Sequence, residues 1–422
     1  MARLAYTLLL TLAMPLVLAR LWWRGRREPG YRRFVAERFG WYVESPQRPL
    51  LWVHAVSVGE VRAAAPLVKA LIEARPDHQV LLTCMTAAGR DAIGQVYGNT
   101  VLAGFLPYDL PGGMRRLIDR FRPRIAILME TEIWPNLMQV CGERGVPVML
   151  ANARMSEKSA HGYAKWPRLF RPAFGALAAA CAQSEADAAR LRELGAAQVD
   201  VAGNLKFDVV PDAGKLAAGA ALRGELARPV LLLASTREGE EALLLDALAG
   251  LDAATLVVLV PRHPQRFDEV ASLAHERGWA VARRSAGEVP GGGRSLLLGD
   301  SMGEMGFYYG LADVAVIGGS FGGYGGQNLI EACAAGVPVV IGPSVFNFTE
   351  ATVLAVAAGA AVQVAGPAEA ASSALSILGD TKKRERMSTA GRTLCEQHRG
   401  AAARHVEVAL RLLPPRARPE GA

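Results

Sequence analysis

A chain of 422 residues, 51% hydrophobic and 21% charged, is too long for one ordinary core and too apolar to stay disordered, which excludes a small single domain and sets two or three globular ones. Its formal net charge of +7 favours an acidic partner such as phosphate, nucleic acid or an anionic membrane, without choosing among them. The five cysteines, Cys84, Cys141, Cys181, Cys333 and Cys395, stand too far apart for a zinc or redox motif and read as reduced, mostly buried thiols of a cytosolic compartment.

From Leu4 to Ala19 no side chain is charged, and beyond Arg20 the apolar character resumes with Leu21, Trp22 and Trp23. That is near the minimum length of a spanning helix, about 17 to 25 apolar residues. Arg3 precedes the segment, whereas Arg20, Arg24, Arg26, Arg27, Arg32 and Arg33 follow it, so the positive-inside rule keeps the remainder in the cytoplasm. Residues 1–23 therefore read as an uncleaved membrane anchor and 24–40 as a basic connector. A cleaved signal peptide ending near Val17-Leu18-Ala19 competes, but the dense arginines and unpaired cysteines oppose export. A helix lying in the membrane plane is a further form of the anchor.

Beyond the connector, strands and helices alternate. Apolar runs at 79–84, 101–106, 125–129, 146–150, 178–182 and 199–201 each lead into a turn or a helical stretch, the pattern of a parallel sheet covered on both faces. A second set follows at 230–234, 256–260, 279–282, 296–298, 314–317 and 337–341. Residues 209–224, rich in Pro, Gly and Ala, read as a linker between domains at 41–208 and 225–395, with 396–422 as a C-terminal helix and tail. Two doubly wound domains facing a cleft would place functional residues just after their strands.

The stretch Leu51-Trp52-Val53-His54-Ala55-Val56-Ser57-Val58-Gly59-Glu60 is the first such place. An apolar strand stops at a small-residue turn, and Glu60 opens the helical pattern that follows. An acidic residue in a first turn commonly serves only as partner of the helix dipole. By that argument Glu60 keeps a normal or lowered pKa and is charged at neutral pH. Further sets follow other strands: Glu130-Thr131-Glu132-Ile133-Trp134-Pro135-Asn136; Asn152, Arg154, Ser156 and Lys158; and Gly203, Asn204 and Lys206. Each is an ordinary polar loop taken singly; their repetition on one sheet edge marks a site.

In the second half, Ser235-Thr236-Arg237-Glu238-Gly239-Glu240 follows a strand and is suited to cap a helix, and Pro261-Arg262-His263-Pro264 puts a guanidinium at a strand end, where phosphate contact is natural. Gly318-Gly319-Ser320-Phe321-Gly322-Gly323-Tyr324-Gly325-Gly326-Gln327-Asn328 leads into a helix whose N–H groups point at an anion. It lacks the Walker and dinucleotide spacings. The seven histidines have no metal-ligand spacing, Gly-x-Ser-x-Gly is absent, and basic residues are not interleaved with aromatics, which speaks against metal, serine-hydrolase and nucleic-acid chemistry.

In one order along the chain, the segments His54 to Glu60, Leu106-Pro107-Tyr108-Asp109, Met129-Glu130-Thr131-Glu132-Ile133-Trp134-Pro135-Asn136, Ala151-Asn152-Ala153-Arg154, Gly203-Asn204-Leu205-Lys206-Phe207-Asp208, Pro261-Arg262-His263-Pro264, Gly303-Glu304-Met305, and Gly342-Pro343 with Phe346-Asn347-Phe348 closely resemble the 3-deoxy-D-manno-octulosonic acid (Kdo) transferases of lipopolysaccharide synthesis. The resemblance covers the chain from about Trp41 to beyond Thr349. It implies a GT-B fold, two Rossmann-like domains with an N-terminal membrane anchor, at the cytoplasmic face of the inner membrane. It implies metal-independent transfer of Kdo from the donor substrate CMP-Kdo to the lipid A precursor (lipid IVA), with no cofactor and no nucleic-acid partner.

By the same resemblance Glu60 is the general base, and Glu130 and Lys206 support the transition state. CMP is held by Pro261 and Arg262, by Gly303, Glu304 and Met305, and by Asn328, Leu329, Ile330 and Glu331. The chain departs from the family in its glycine-rich loop, which carries Phe321 and Tyr324 where relatives have more charged residues. A single carboxylate base with no second nucleophile points to direct displacement with inversion. The alternatives are a nucleotide-sugar epimerase of the same architecture, or a protein that binds a nucleotide sugar without transferring it. A lipid acceptor accounts for the anchor, and a soluble sugar nucleotide does not.

Overall fold

The computed structural model describes residues 1–413. The chain divides into two compact units, the first made of Met1–Asp208 and the chain from Gly400 onward, the second of Val209–Arg399.

The first unit is built on seven parallel strands: β1 (Leu50–His54), β2 (Gln79–Cys84), β3 (Leu102–Phe105), β4 (Pro123–Met129), β5 (Val148–Ala153), β6 (Ala179–Ala182) and β7 (Val199–Val201), in the order β3-β2-β1-β4-β5-β6-β7. All five residues of β1 are buried. Side chains alternate across a strand, so Leu51 and Val53 enter the core on one face of the sheet while Leu50 and Trp52 enter the core on the other. This two-sided burial is why the strand reads as a continuous apolar run. Trp52 lies opposite Leu81 and Ala126, and its indole N–H donates to Thr83 Oγ1 at 2.8 Å. The strand order reverses direction between β1 and β4, which makes the carboxyl ends of those two strands the switch point of the sheet.

Residues 24–40, expected as a basic connector, are folded into this unit. Arg38 is buried, donates to the Met85 carbonyl at 3.1 Å and lies 3.9 Å from the Phe105 ring centroid. Glu37 accepts from Phe105 N–H at 2.9 Å and pairs with Arg90. Arg38 and Glu37 thus tie the segment into the sheet, and the unit begins before Trp41.

The N-terminal helix, Ala2–Arg24, spans 23 residues, about 34 Å at 1.5 Å per residue. Arg3 and Thr7 donate to Asn136 Oδ1 at 3.1 and 3.0 Å, and Tyr6 bonds to Asp109. The opposite face carries Leu4, Leu8, Leu9, Leu12 and Leu16, all exposed, and Trp22 and Trp23 near its end.

The second unit repeats the scheme with β8 (Val230–Thr236), β9 (Leu256–Pro261), β10 (Ala280–Arg283), β11 (Ser295–Leu298), β12 (Val314–Ile317), β13 (Val339–Ile341) and β14 (Ala361–Gln363), all parallel, in the order β10-β11-β9-β8-β12-β13-β14. Its switch point lies between β8 and β12. Strand β14 is absent from the sequence reading, because three residues of which only one is buried give no periodic signal.

The domain boundaries differ from those expected. Most of 209–224 is helix, Ala213–Leu226, capped by Asp212, whose carboxylate accepts from Lys215 N–H at 3.0 Å. Its glycines mark contact: a Cβ on Gly219 would stand 2.0 Å from the Phe307 carbonyl oxygen, and one on Gly310 2.2 Å from that of Leu216. The helix therefore lies backbone against backbone on Met305–Leu311 and belongs to the second unit. At the other end, helix Thr381–His398 carries the second unit past residue 395 to Arg399. Helix Ala401–Leu412 then returns to the first unit, where Ala401, Val406, Val408 and Ala409 join its core. The expected tail, 414–422, lies outside the described residues. All five cysteines are buried.

Candidate functional site

At the first switch point, Ser57 lies three residues beyond β1 in an extended conformation and caps the short helix Val58–Ala63 by accepting from Glu60 N–H at 3.4 Å. The Glu60 carboxylate reaches back, one oxygen accepting from Val56 N–H at 2.9 Å and the other from Ser57 Oγ at 3.0 Å. This reciprocal cap fixes the side-chain rotamer. Each carboxylate oxygen retains a second lone pair, so the group can still accept a proton.

The expected lowering of the Glu60 pKa is not what the structure gives. Burial, and after it the neighbouring Glu130, push it from 4.5 up to about 7; Glu132 adds to the rise, and the Val56 and Ser57 hydrogen bonds oppose it. A helix of six residues has little dipole to set against desolvation and two like charges. Burial likewise raises Glu132 to about 7, with Glu130 adding to it. The two loops that leave β1 and β4 thus bring three carboxyls within electrostatic reach of one another. Glu130 has φ of +57°, a left-handed conformation that costs a non-glycine residue energy and is concentrated at functional sites. Its N–H donates to Ala151 O at 2.9 Å, which anchors the turn.

Lys206 follows β7 at the sheet edge, yet its turn folds back over β5. Leu205 N–H donates to Asn152 Oδ1 at 3.0 Å, Lys206 N–H to Asn204 Oδ1 at 3.0 Å, and Asn204 through Gln183 to the Asn152 carbonyl at 3.0 and 2.9 Å. Asn152 N–H in turn donates to His405 Nε2 at 2.8 Å. Burial holds His405 down to about 4, so its ring is neutral at physiological pH and its Nδ1–H serves the Ala401 carbonyl at 2.7 Å. Asp208 accepts from Gly400 N–H at 2.6 Å and from Ala402 N–H. The Lys206 turn is held from both sides by groups remote in sequence.

In the second unit, Arg262 follows β9 with its N–H on the Thr236 carbonyl at 2.9 Å, beside the end of β8. His263 is held below its usual pKa first by burial and then by Arg237, Arg262 and Arg266. Three guanidinium groups therefore converge there. Arg266 is committed to Glu241 at 2.8 Å and Glu269 at 2.9 Å, whereas Arg237 lies over the Tyr324 ring, 4.5 Å from its centroid. That cationic patch suits an anion. Arg237 was not singled out from sequence; its position immediately after a strand at the switch point is the signal that identifies it.

Gly303, Glu304 and Met305 form the turn into helix Met305–Leu311. Lys215 Nζ donates to Gly303 O at 3.0 Å, Arg284 and Ser301 bond Glu304, and Ser235 Oγ lies 3.8 Å from Met305 Sδ. Asn328 stands two residues before helix Ile330–Ala335: its Oδ1 accepts from Ile330 N–H at 3.0 Å and its Nδ2 donates to Glu331 at 2.9 Å. The side chains of Leu329 and Ile330 are buried, which leaves only their backbone to meet a ligand. Three N–H groups of the glycine-rich loop are already engaged within the chain. Gly319, Phe321 and Gly322 donate to Glu240, a wholly buried carboxylate from the β8 side of the switch point. Among the described residues, no group of three or more His, Cys, Asp or Glu side chains forms a metal-ligand set.

Residues 33–209 match the family model described as 3-Deoxy-D-manno-octulosonic-acid transferase (kdotransferase). The chain is 45% identical over 423 residues to the 3-deoxy-D-manno-octulosonic acid transferase of Bordetella pertussis, covering 96% of this chain and 98% of that protein. It is 35% identical over 418 residues to the enzyme of the same name from Haemophilus influenzae, covering 97% and 98%. Among solved structures it is similar to the UDP-GlcNAc 2-epimerase from Neisseria meningitidis bound to UDP-GlcNAc, with a TM-score of 0.58 and 16% identity over 86% of this chain and 100% of that one. The last likeness is one of fold, and the fold class is GT-B.

Proposed function

Since the chain belongs to the 3-deoxy-D-manno-octulosonic acid (Kdo) transferase family, we propose that this glycosyltransferase moves Kdo from CMP-Kdo to the lipid A precursor with inversion and without a metal, Glu60 acting as general base. Glu60 supports the reading most directly: it is the carboxyl at the first switch point, oriented by Ser57 and Val56 and raised to about 7. A base is most effective when its pKa lies near the working pH. In the proposed step an acceptor hydroxyl gives its proton to Glu60 as its oxygen bonds the anomeric carbon of Kdo. The bond from that carbon to the CMP phosphate oxygen breaks, and CMP leaves with the electron pair.

Glu130 and Lys206 complete the first half of the site in this reading. Glu130 keeps Glu60 basic, and Lys206 offsets charge as the acceptor oxygen is deprotonated. In the second unit Pro261, Arg262, the turn Gly303, Glu304 and Met305, and the segment Asn328, Leu329, Ile330 and Glu331 hold CMP, with Arg237 and Arg262 supplying positive charge for the phosphate. The helix Ala2–Arg24 is long and apolar enough to cross a membrane, and its exposed leucine face suits an enzyme whose acceptor is a lipid in the inner membrane. Because the likeness in sequence is to transferases and the likeness to the epimerase is one of fold, the epimerase alternative is set aside.

Incubating the protein with CMP-Kdo and lipid A precursor, then weighing the lipid by mass spectrometry, tests the activity and counts the sugars added. Glu60→Gln is expected to lower transfer by about 10²–10⁴-fold while CMP still protects the protein against thermal unfolding. Near-normal transfer by that variant would mean that Glu60 is not the base.

A further inference from the structure

We infer that Glu240 is a positioning residue for the donor site: its buried carboxylate sets the shape of the glycine-rich loop between β12 and Asn328. The inference rests on the reading that this loop takes part in donor binding. Glu240 is the first residue of helix Glu240–Ala247 and is 0% exposed. One of its oxygens accepts from Gly319 N–H at 2.6 Å and Arg237 N–H at 2.8 Å; the other accepts from Phe321 N–H at 2.8 Å and Gly322 N–H at 3.3 Å. Among the described residues it makes no ion pair. Its neighbour Glu241 pairs with Arg266. Four backbone donors around one carboxylate form the kind of concave anion seat that a bound phosphate occupies in other proteins; here the anion belongs to the chain itself.

The loop needs such an organiser. Gly319, Gly323, Gly325 and Gly326 all have φ between 69° and 83°, and glycine loses more conformational freedom on ordering than any other residue. Its start is pressed against the end of β8, since a Cβ on Gly318 would stand 2.5 Å from Thr236 Cα. Glu240 therefore ties together the two chain segments that leave β8 and β12. The same carboxylate fixes the Arg237 backbone, beside which the cations lie, and the loop that delivers Asn328. It also removes three loop N–H groups from any competition for the donor phosphate, which leaves that charge to Arg237 and Arg262.

Glu240→Gln keeps the size of the side chain but replaces one accepting oxygen with an amino group that faces two N–H donors. The expected result is a rise of about tenfold or more in KM for CMP-Kdo, with KM for the lipid acceptor unchanged and only part of the loss recovered in Glu240→Asp, whose shorter side chain keeps the charge but loosens its hold on the loop. Asn328→Ala serves as the control for the reading beneath the inference. If Asn328→Ala raises the donor KM and Glu240→Gln does not, Glu240 has no positioning role, although the loop still binds donor. If neither variant changes the donor KM, the loop is not part of the donor site and the inference falls with that reading. Should Glu240→Gln fail to fold, hydrogen exchange in Glu240→Asp decides. Faster exchange confined to residues 319–328 supports the role, and unchanged protection there overturns it.

Discussion

Glu60 does two jobs that pull its chemistry in opposite directions. As a cap it is held by Val56 N–H and Ser57 Oγ, which favour the charged form; as a buried group beside Glu130 and Glu132 it is driven towards the neutral form, and burial dominates. The folded chain therefore holds this proton up to about pH 7, whereas the unfolded chain releases it near 4.5. Between those values the folded state binds the extra proton, so this group adds stability as pH falls through the window and withdraws it as pH rises towards 7. The proposed step needs the ionised form, so kcat/KM is expected to climb with a midpoint near pH 7; a rate that stays level from about pH 5.5 to about pH 8 would count against Glu60 as base. The residue itself is legible in the sequence, because Ser-Val-Gly-Glu after an apolar run is local. Its ionisation is not, because Glu130 and Glu132 arrive on a loop from a different strand.

Among the elements, the strands were the most readable because parallel strands buried on both faces announce themselves as apolar runs, as β2 and β12 do residue for residue. Helix Ala213–Leu226 was the least. Its glycines are breakers in a local reading, yet Gly219 and Gly310 are where two helix backbones touch, a fact that depends on a partner some ninety residues away. That contact matters to the site, since Met305–Leu311 begins with the turn that carries Gly303 and Glu304, and Lys215 on the other helix bonds Gly303. Gly219→Ala and Gly310→Ala are each expected to destabilise the second unit by about 1–3 kcal/mol through overpacking, measured by denaturant unfolding, with weaker protection by CMP. An unchanged unfolding midpoint in both would show that the helices part without cost. Similarly, Glu240 was visible only as a residue suited to cap a helix; that it holds the glycine-rich loop follows from β8 and β12 being neighbours in the sheet.

For the whole molecule, the proposed membrane site rests on the N-terminal helix. One face is bonded to the first unit through Arg3, Tyr6 and Thr7, and the other shows five exposed leucines. Replacing Leu8, Leu9, Leu12 and Leu16 with Gln is expected to remove about 1 kcal/mol or more of membrane affinity per residue, roughly a thousandfold in all. Co-sedimentation with anionic lipid vesicles reads this directly, and undiminished binding would place the membrane contact elsewhere. At the opposite end of the chain, helix Ala401–Leu412 supplies part of the first unit's core, with Asp208 holding its start and His405 reaching Asn152. Ribosomes make proteins from the amino end, so the domain begun first cannot be completed until helix Ala401–Leu412, which follows the whole second unit, has emerged. Throughout synthesis of the second domain the nascent first one carries an open apolar seam beside Leu205, and the Lys206 turn acquires its final support only once Gly400 and His405 have been made.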